Sequence, residues 1–153
     1  VPRLLDPALA GGALLDLGVY PVSFVHSVLG YPEQIVAVGT LTTGGVDAQE
    51  VVTLAYPGPA TAVCTSTMLA ATPTRASIIG RAGRAEVTGP FFRPGSFTVT
   101  PLGGEPWSWP GPGVTPPGTD GTVSAGFQYQ AAEVARCVTG GRMESATMPW
   151  SAT

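Results

Sequence analysis

The chain has 153 residues, of which 44% are apolar and 11% charged, so it can bury one ordinary core and is not a disordered chain. Its net charge of −3 comes from 7 arginines against 10 acidic residues, which argues against a nucleic-acid-binding protein. The chain contains no lysine, which excludes any mechanism in which it alone supplies a lysine base. One histidine and two cysteines cannot form a zinc site of the usual kind, so we expect no metal.

The first thirty residues predict one helix after an irregular lead-in. A pair of glycines opens a dense apolar stretch, and Gly30 closes it. Apolar residues at helical spacing favour a helix that starts near Leu17, with residues 11–16 as a tight entry. Pro21 then lies in the first turn, although it could instead kink a longer helix. No stretch approaches ~20 apolar residues in length, so we expect no membrane span.

The next seventy residues predict β-strands, because valine, isoleucine and threonine are frequent and short turns rich in glycine and proline separate the runs. Connections this short favour antiparallel pairing between consecutive strands. We expect one open, mostly antiparallel sheet of about six strands. The predicted strands are residues 34–43, 46–56, 60–68, 74–79, 85–88 and 97–100.

The last third of the chain combines a loop and a second helix. Residues 101–121 are dense in glycine and proline, so we expect a long loop without helix or strand. Trp107 and Trp109 in this loop could stack on a sugar or aromatic ring of a substrate, or could pin the loop to the surface. Residues 125–138 return to helical spacing. Helix, meander sheet and helix together predict an α+β, two-layer domain with both helices on one face of the sheet.

Cys64 and Cys137 lie too far apart in sequence to form a Cys-x-x-Cys motif. Each falls in an apolar run, so we expect two buried free thiols, with a disulfide between them as the alternative. Other short motifs are missing as well. The sequence has no glycine-rich phosphate loop and no Gly-x-Ser-x-Gly elbow, which argues against a dinucleotide site and a hydrolase site built by this chain alone.

Two side chains in the first apolar stretch can carry chemistry. Asp16 is a carboxylate among apolar residues, where an unpaired charge is costly. Tyr20 follows four residues later and would share its side of a helix. A tyrosine hydroxyl can exchange a proton with a substrate oxygen, and a neighbouring carboxylate can orient it or bind a sugar hydroxyl. The alternative is structural: Asp16 caps the helix and Tyr20 is a core aromatic residue.

The segment from Gly11 to Pro21, Gly-Gly-Ala-Leu-Leu-Asp-Leu-Gly-Val-Tyr-Pro, resembles the signature that opens the C-terminal domain of the Gfo/Idh/MocA oxidoreductases. With tyrosine at position 20, the segment resembles the family branch that includes glucose–fructose oxidoreductase and dimeric dihydrodiol dehydrogenase. Many other members have histidine at that place. Further segments resemble the family in the same order along nearly the whole chain. They are residues 3–7, 45–58, 78–83, 127–137 and 141–149.

This resemblance implies that residues 1–153 are the C-terminal substrate-binding and oligomerisation domain of a longer enzyme. A preceding Rossmann domain would hold NAD or NADP and a catalytic lysine in a Glu-Lys-Pro motif, and a last helix would follow. The whole enzyme would move hydride to or from a carbinol carbon of a sugar, cyclitol or dihydrodiol, and this piece alone would be inactive.

The resemblance also implies roles for individual residues. Tyr20 would exchange a proton at the carbinol oxygen, and Asp16 would orient the substrate or the lysine. Arg3 lies near the signature and could also contact the substrate. The outer face of the sheet would form a homodimer or a higher homo-oligomer, and no nucleic acid or membrane would be a partner.

Two departures from the family pattern stand out. Gln130 occupies a place where relatives often have glutamate, and residues 101–121 have no clear family counterpart. The alternative function is a non-catalytic module that kept the fold for dimerisation or ligand sensing. We expect a cytoplasmic protein. The sequence has arginine but no lysine and is rich in alanine and glycine, which favours a bacterial source.

Overall fold

The computed structural model describes residues 2–93, 95–111 and 126–149, which form two compact units. The first unit comprises the described residues up to 72, and the second those from 73 to 149. Antiparallel sheets and few helices confirm the predicted α+β class. The elements are the 3₁₀ turns Pro2–Leu5 and Pro7–Leu9, the π-helical turn Leu14–Gly18, helix α1 (Val19–Leu29), strands β1 (Gln34–Leu41), β2 (Asp47–Ala55), β3 (Thr61–Thr67), β4 (Ala76–Gly80), β5 (Gly83–Val87), β6 (Phe97–Pro101) and β7 (Trp107–Trp109), and helix α2 (Phe127–Thr139).

In the first unit, three strands form an antiparallel sheet with β2 in the centre, in the order β1-β2-β3. Burial alternates along β2, since its even-numbered residues from 48 to 54 are buried and the odd-numbered ones between them are exposed. Helix α1 covers the buried face. The apolar core there consists of Val52, Leu54, Tyr56 and Cys64, against which Val22 and Val25 of α1 pack.

The entry to α1 combines a π-helical turn with a proline. Pro21 has no N–H to donate, and its ring would clash with a carbonyl one α-helical turn earlier. The wider π turn Leu14–Gly18 immediately precedes α1, and Pro21 is the third residue of α1. By the bounds of α1, Pro21 lies in its first turn as predicted, but the predicted tight entry at residues 11–16 is wrong in part, because Leu14–Gly18 is already helical and continues into α1. The helix ends at Gly30, whose positive φ of 75° favours glycine.

The second unit contains a four-stranded antiparallel sheet in the order β4-β5-β6-β7. The prediction of one continuous six-stranded sheet is therefore wrong, because β3 and β4 do not pair. The connection between them contains Pro73, which lacks an N–H, and Thr74, whose φ of 52° interrupts extended backbone. Helix α2 lies close to its predicted bounds.

The predicted loop at residues 101–121 is wrong at Trp107–Trp109, which forms β7 and pairs with β6. The run Trp-Ser-Trp alternates as a strand does, and the glycines and prolines flank it without interrupting it. The Phe97 ring lies 5.8 Å from the Trp107 ring and 5.6 Å from the Trp109 ring, between centroids. Residues 112–121 lie outside the part of the chain that the structure describes.

Both cysteines are buried and free, so the predicted thiols are confirmed and the alternative disulfide is wrong. Cys64 belongs to the core of the first unit, and burial raises the pKa of its thiol. A thiol held in its neutral form is a poor nucleophile. Cys64 is therefore a packing residue.

The stretch Pro7–Leu29 is long and apolar enough, by length and composition, to cross a membrane. The prediction that no stretch approaches the ~20 apolar residues of a membrane span is therefore wrong for the length and mean hydropathy of these 23 residues. Val22 and Val25 of this stretch pack against the sheet, which accounts for part of its apolar composition, although no residue of α1 is fully buried. One such stretch near the start of a chain is weak evidence for a membrane span.

The core of the first unit can be tested with Leu54→Ala. Leu54 is 4% exposed, so truncation should leave a cavity and lower the free energy of unfolding by ~2–5 kcal/mol. The matched control is Leu69→Ala, because Leu69 is 65% exposed and should change stability little. Chemical denaturation measures both, and equal losses would contradict this core.

Candidate active site

The start of the π turn is fixed by a carboxylate from the sheet. The backbone N–H of Leu14 donates to Oδ2 of Asp47, the first residue of β2, at 2.6 Å. Gly12 lies against the same carboxyl group with a φ of 120°, and a Cβ there would overlap Oδ1 of Asp47. Gly12 is therefore required by a close approach, and Asp47 takes the place of a local helix cap.

The end of the turn lies against a second carboxyl group of β2. A Cβ built at Gly18 would lie 2.9 Å from Oγ of Ser66 and 3.2 Å from Oε1 of Glu50. Both distances are too short for an ordinary side chain to fit without displacing a neighbour. Two glycines of the sequence signature thus let the turn approach Asp47 at one end and Glu50 with Ser66 at the other.

Asp16 lies in the middle of this turn and forms an ion pair with Arg3. The side chain of Asp16 is 28% exposed and that of Arg3 is 51% exposed. The N-cap residues of the π turn and of α1 are Ala13 and Gly18, and neither makes a side-chain capping hydrogen bond. The alternative, in which Asp16 caps the helix, is therefore wrong. The structure brings together two of the residues predicted for the site, and their pairing compensates the charge of Asp16 in an apolar stretch.

Tyr20 is the second residue of α1 and is half-buried. Four residues separate it from Asp16, which is about one turn in either an α- or a π-helix. The spacing favours the phenol and the carboxylate on one side of this segment, and their joint action on a substrate stays a prediction.

Glu50, which is 8% exposed, was not predicted as a site residue. The hydroxyl of Ser66, a residue that is also 8% exposed, donates a hydrogen bond to Oε1 of Glu50. Burial raises the pKa of Glu50 to about 7, and the nearby Asp47 carboxyl contributes to the increase. The alternation of β2 was the signal that could have found this residue, because Glu50 occupies an inward position between Ala48 and Val52.

Trp107 and Trp109 belong to the second unit, where they are 53% and 43% exposed. With Phe97 they form an aromatic cluster on one face of β6 and β7. Their predicted role in substrate binding stays a prediction. Within residues 2–93, 95–111 and 126–149, no group of three or more potential metal ligands comes together.

The contact between Gly12 and Asp47 can be tested with a double-mutant cycle. Gly12→Ala should lower the free energy of unfolding by ~2–3 kcal/mol, because the new Cβ displaces Asp47 from the Leu14 N–H and strains the backbone. In an Asp47→Ala background the same change should cost less, since the overlap is gone. Gly80→Ala is the control, because the nearest atom to its new Cβ would be 3.8 Å away. Additive costs in the cycle would contradict the contact.

Comparison with known proteins agrees with the signature. The sequence model of the GFO/IDH/MocA C-terminal domain matches residues 1–86. The chain is 41% identical to trans-1,2-dihydrobenzene-1,2-diol dehydrogenase of Danio rerio, over 97% of this chain and 44% of that protein. It is 37% identical to the Homo sapiens protein of the same name, over 99% of this chain and 45% of that protein. D-xylose 1-dehydrogenase (NADP(+)) of Hypocrea jecorina is 33% identical, over 97% of this chain and 41% of that protein.

A solved structure also matches. It is the 3-ketoreductase KijD10 of Actinomadura kijaniata in complex with TDP-benzene and NADP, with a TM-score of 0.65 and 25% identity, over 86% of this chain and 40% of that chain. The chain thus spans less than half the length of the curated relatives it matches. These curated relatives are vertebrate and fungal, so a bacterial source stays a prediction. The signature, the fold and these matches show that the chain belongs to the GFO/IDH/MocA oxidoreductase family, to its C-terminal domain.

Proposed function

We propose that this chain is the substrate-side domain of an NAD(P)-dependent oxidoreductase that moves hydride to or from a carbinol carbon of a sugar, cyclitol or dihydrodiol. The observation that carries the proposal is the Arg3–Asp16 ion pair on the turn that leads directly into Tyr20. The names of the relatives support it, since they are dehydrogenases of a dihydrobenzenediol and of D-xylose and a 3-ketoreductase.

In this proposal, Tyr20 exchanges the proton of the reacting oxygen. Its hydroxyl donates a proton as a carbonyl oxygen becomes a carbinol, which leaves a phenolate, and in the oxidative direction the phenolate accepts the carbinol proton. Asp16 accepts a hydrogen bond from a neighbouring hydroxyl of the substrate. Arg3 keeps its ion pair with the Asp16 carboxylate and donates a hydrogen bond to a second substrate hydroxyl. An exposed ion pair adds only ~0–1 kcal/mol to stability, so its placement here favours a role in binding.

The residues of this chain fit the substrate half of such a site. One carboxylate, one guanidinium and one phenol match the hydroxyl groups of a polyol, whereas the sequence has no phosphate-binding loop for a dinucleotide. A bound nicotinamide supplies or accepts the hydride. We propose that a preceding Rossmann domain holds it and contributes the lysine that this chain lacks, so that the chain alone is inactive. NADP in the names of two relatives supports a phosphorylated cofactor without excluding NAD.

The proposal predicts the effect of Tyr20→Phe in the longer protein that carries this domain. Loss of the hydroxyl should lower kcat by ~10²–10⁴-fold with D-xylose or a trans-dihydrodiol as substrate, because the proton transfer is lost. The rate of nicotinamide reduction, followed by its absorbance, measures this effect.

Tyr31→Phe is the matched control, because Tyr31 is 59% exposed and lies outside the signature. It should leave kcat unchanged. Equal activity of Tyr20→Phe and Tyr31→Phe would contradict the role of Tyr20. A longer protein that binds these compounds without turning any of them over would favour the alternative, a ligand-sensing module.

We also propose that the outer face of the first sheet forms a homodimer or a higher homo-oligomer. The cross-strand register places Val38, Val51 and Thr65 in one row and Val36, Thr53 and Val63 in the next. All six are exposed and none is charged, and such an apolar patch is typical of an interface. A second copy of the chain, packed sheet to sheet, would bury this face.

A charge in this face should prevent the association. Val38→Arg, at a residue 71% exposed, should convert the oligomer into a monomer, because an arginine would be buried there without a partner. The control is Leu69→Arg, since Leu69 is 65% exposed, lies beyond the end of β3 and is outside the two rows. Light scattering coupled to gel filtration measures the mass, and a wild-type chain that is monomeric at high concentration would contradict the proposal.

We also propose that the protein is cytoplasmic and that it binds neither nucleic acid nor a membrane. The two buried free thiols support a reducing compartment, since such a pair commonly forms disulfides in oxidising ones. The negative net charge supports the absence of nucleic acid.

A further inference from the structure

Glu50 is a buried carboxyl group that the proposed reaction leaves without a role. Its side chain points from β2 toward the π turn, where Ser66 of β3 donates to Oε1. The other oxygen, Oε2, is buried and receives no hydrogen bond from an N–H or hydroxyl donor of the described residues. The Asp47 carboxyl lies beside Glu50, and the two can share a hydrogen bond only when one of them is protonated. A carboxylate in this place would have one donor for two charged oxygens, which is costly for a group removed from water.

The charges around Glu50 also disfavour its ionised form. From its own strand it faces Asp47, a second carboxyl group. From β3 and from the turn it meets Ser66 and Gly18, which carry no charge, and the turn's own Asp16 is paired with Arg3. Burial first and Asp47 second raise the pKa of Glu50 from 4.5 to about 7.

The contact with the turn is direct. Gly18 is the residue that lies against both Oγ of Ser66 and the Glu50 carboxyl group. It is two residues from Asp16 and two residues from Tyr20, so any displacement of Gly18 changes how both side chains are presented. Glu50 therefore contacts the segment midway between the two residues proposed to act on substrate.

We infer that Glu50 is a positioning residue: as the neutral acid, hydrogen-bonded to Ser66, it seats Gly18 and thereby holds Asp16 and Tyr20 in their places. The inference rests on the proposed function for its effect on catalysis and on the geometry alone for its effect on the turn. Its stabilising contribution is complete below about pH 4.5, the unfolded value, and is lost as the pH rises through about 7.

The first test follows the turn in the chain itself. In wild type, the backbone amide signals of Leu14 and Gly18 should shift with a midpoint near pH 7, and the melting temperature should fall as the pH rises from about 5 to about 8. Glu50→Gln, a neutral isostere, should abolish both changes. Glu33→Gln is the control because Glu33 is exposed, and it should keep both. Identical pH dependence in wild type and Glu50→Gln would overturn the inference.

The second test separates positioning from stability in the longer protein. Wild-type kcat should fall by roughly tenfold as the pH rises above about 7, because a displaced turn misplaces the reacting groups. Glu50→Gln should keep the wild-type kcat at low pH and remove this decline, whereas Glu50→Ala should lower kcat at every pH. An active enzyme whose pH profile is the same in Glu50→Gln would overturn the inference while leaving the proposed function intact. Shifting amide signals in a protein without activity would overturn the proposed function and retain the link between Glu50 and the turn.

Discussion

The contact between strand β2 and the π turn Leu14–Gly18 determines the candidate site. Asp47 accepts the backbone N–H at the start of the turn, and Glu50 with Ser66 lies against its end. Because one rigid strand contacts both ends, the turn has a fixed position relative to the sheet, and Asp16 in its middle is presented with it. A site on a turn can be as well ordered as one on a helix when the sheet supports it in this way.

The sequence signature is explained by this contact together with one proline. Gly12 and Gly18 allow the close approach to the two carboxyl groups, and Pro21 favours a wide turn immediately before an ordinary helix. The two kinds of acidic residue then have opposite environments. Asp16 is partly exposed and paired with Arg3, so it is available to a ligand, whereas Glu50 is buried and acts on the support.

Local patterns predicted the α+β class, the start of α1 and its end at Gly30, since caps, prolines and alternation are encoded by neighbouring residues. The division into two sheets was not predicted, because the positive φ that Thr74 adopts after Pro73, and that interrupts the extended backbone, is not a conformation that threonine favours. The pairing of Arg3 with Asp16 was missed because it joins segments whose proximity appears only when the chain is folded. The inward position of Glu50 could have been predicted from the alternation along β2, but its contact with Ser66 and the turn could not. Asp16 and Tyr20 were proposed from their spacing of four residues together with the resemblance of the signature to the family, and their roles stay predictions.

The most direct test of the central claim is a crystal structure of the longer protein with its nicotinamide cofactor and a polyol or dihydrodiol substrate. The account predicts the Tyr20 hydroxyl within ~2.6–3.2 Å of the reacting oxygen, with Asp16 and Arg3 on neighbouring hydroxyls. It also predicts that the turn still lies against Asp47 and Glu50. A substrate bound away from this segment, or a turn released from β2 in the complex, would contradict it.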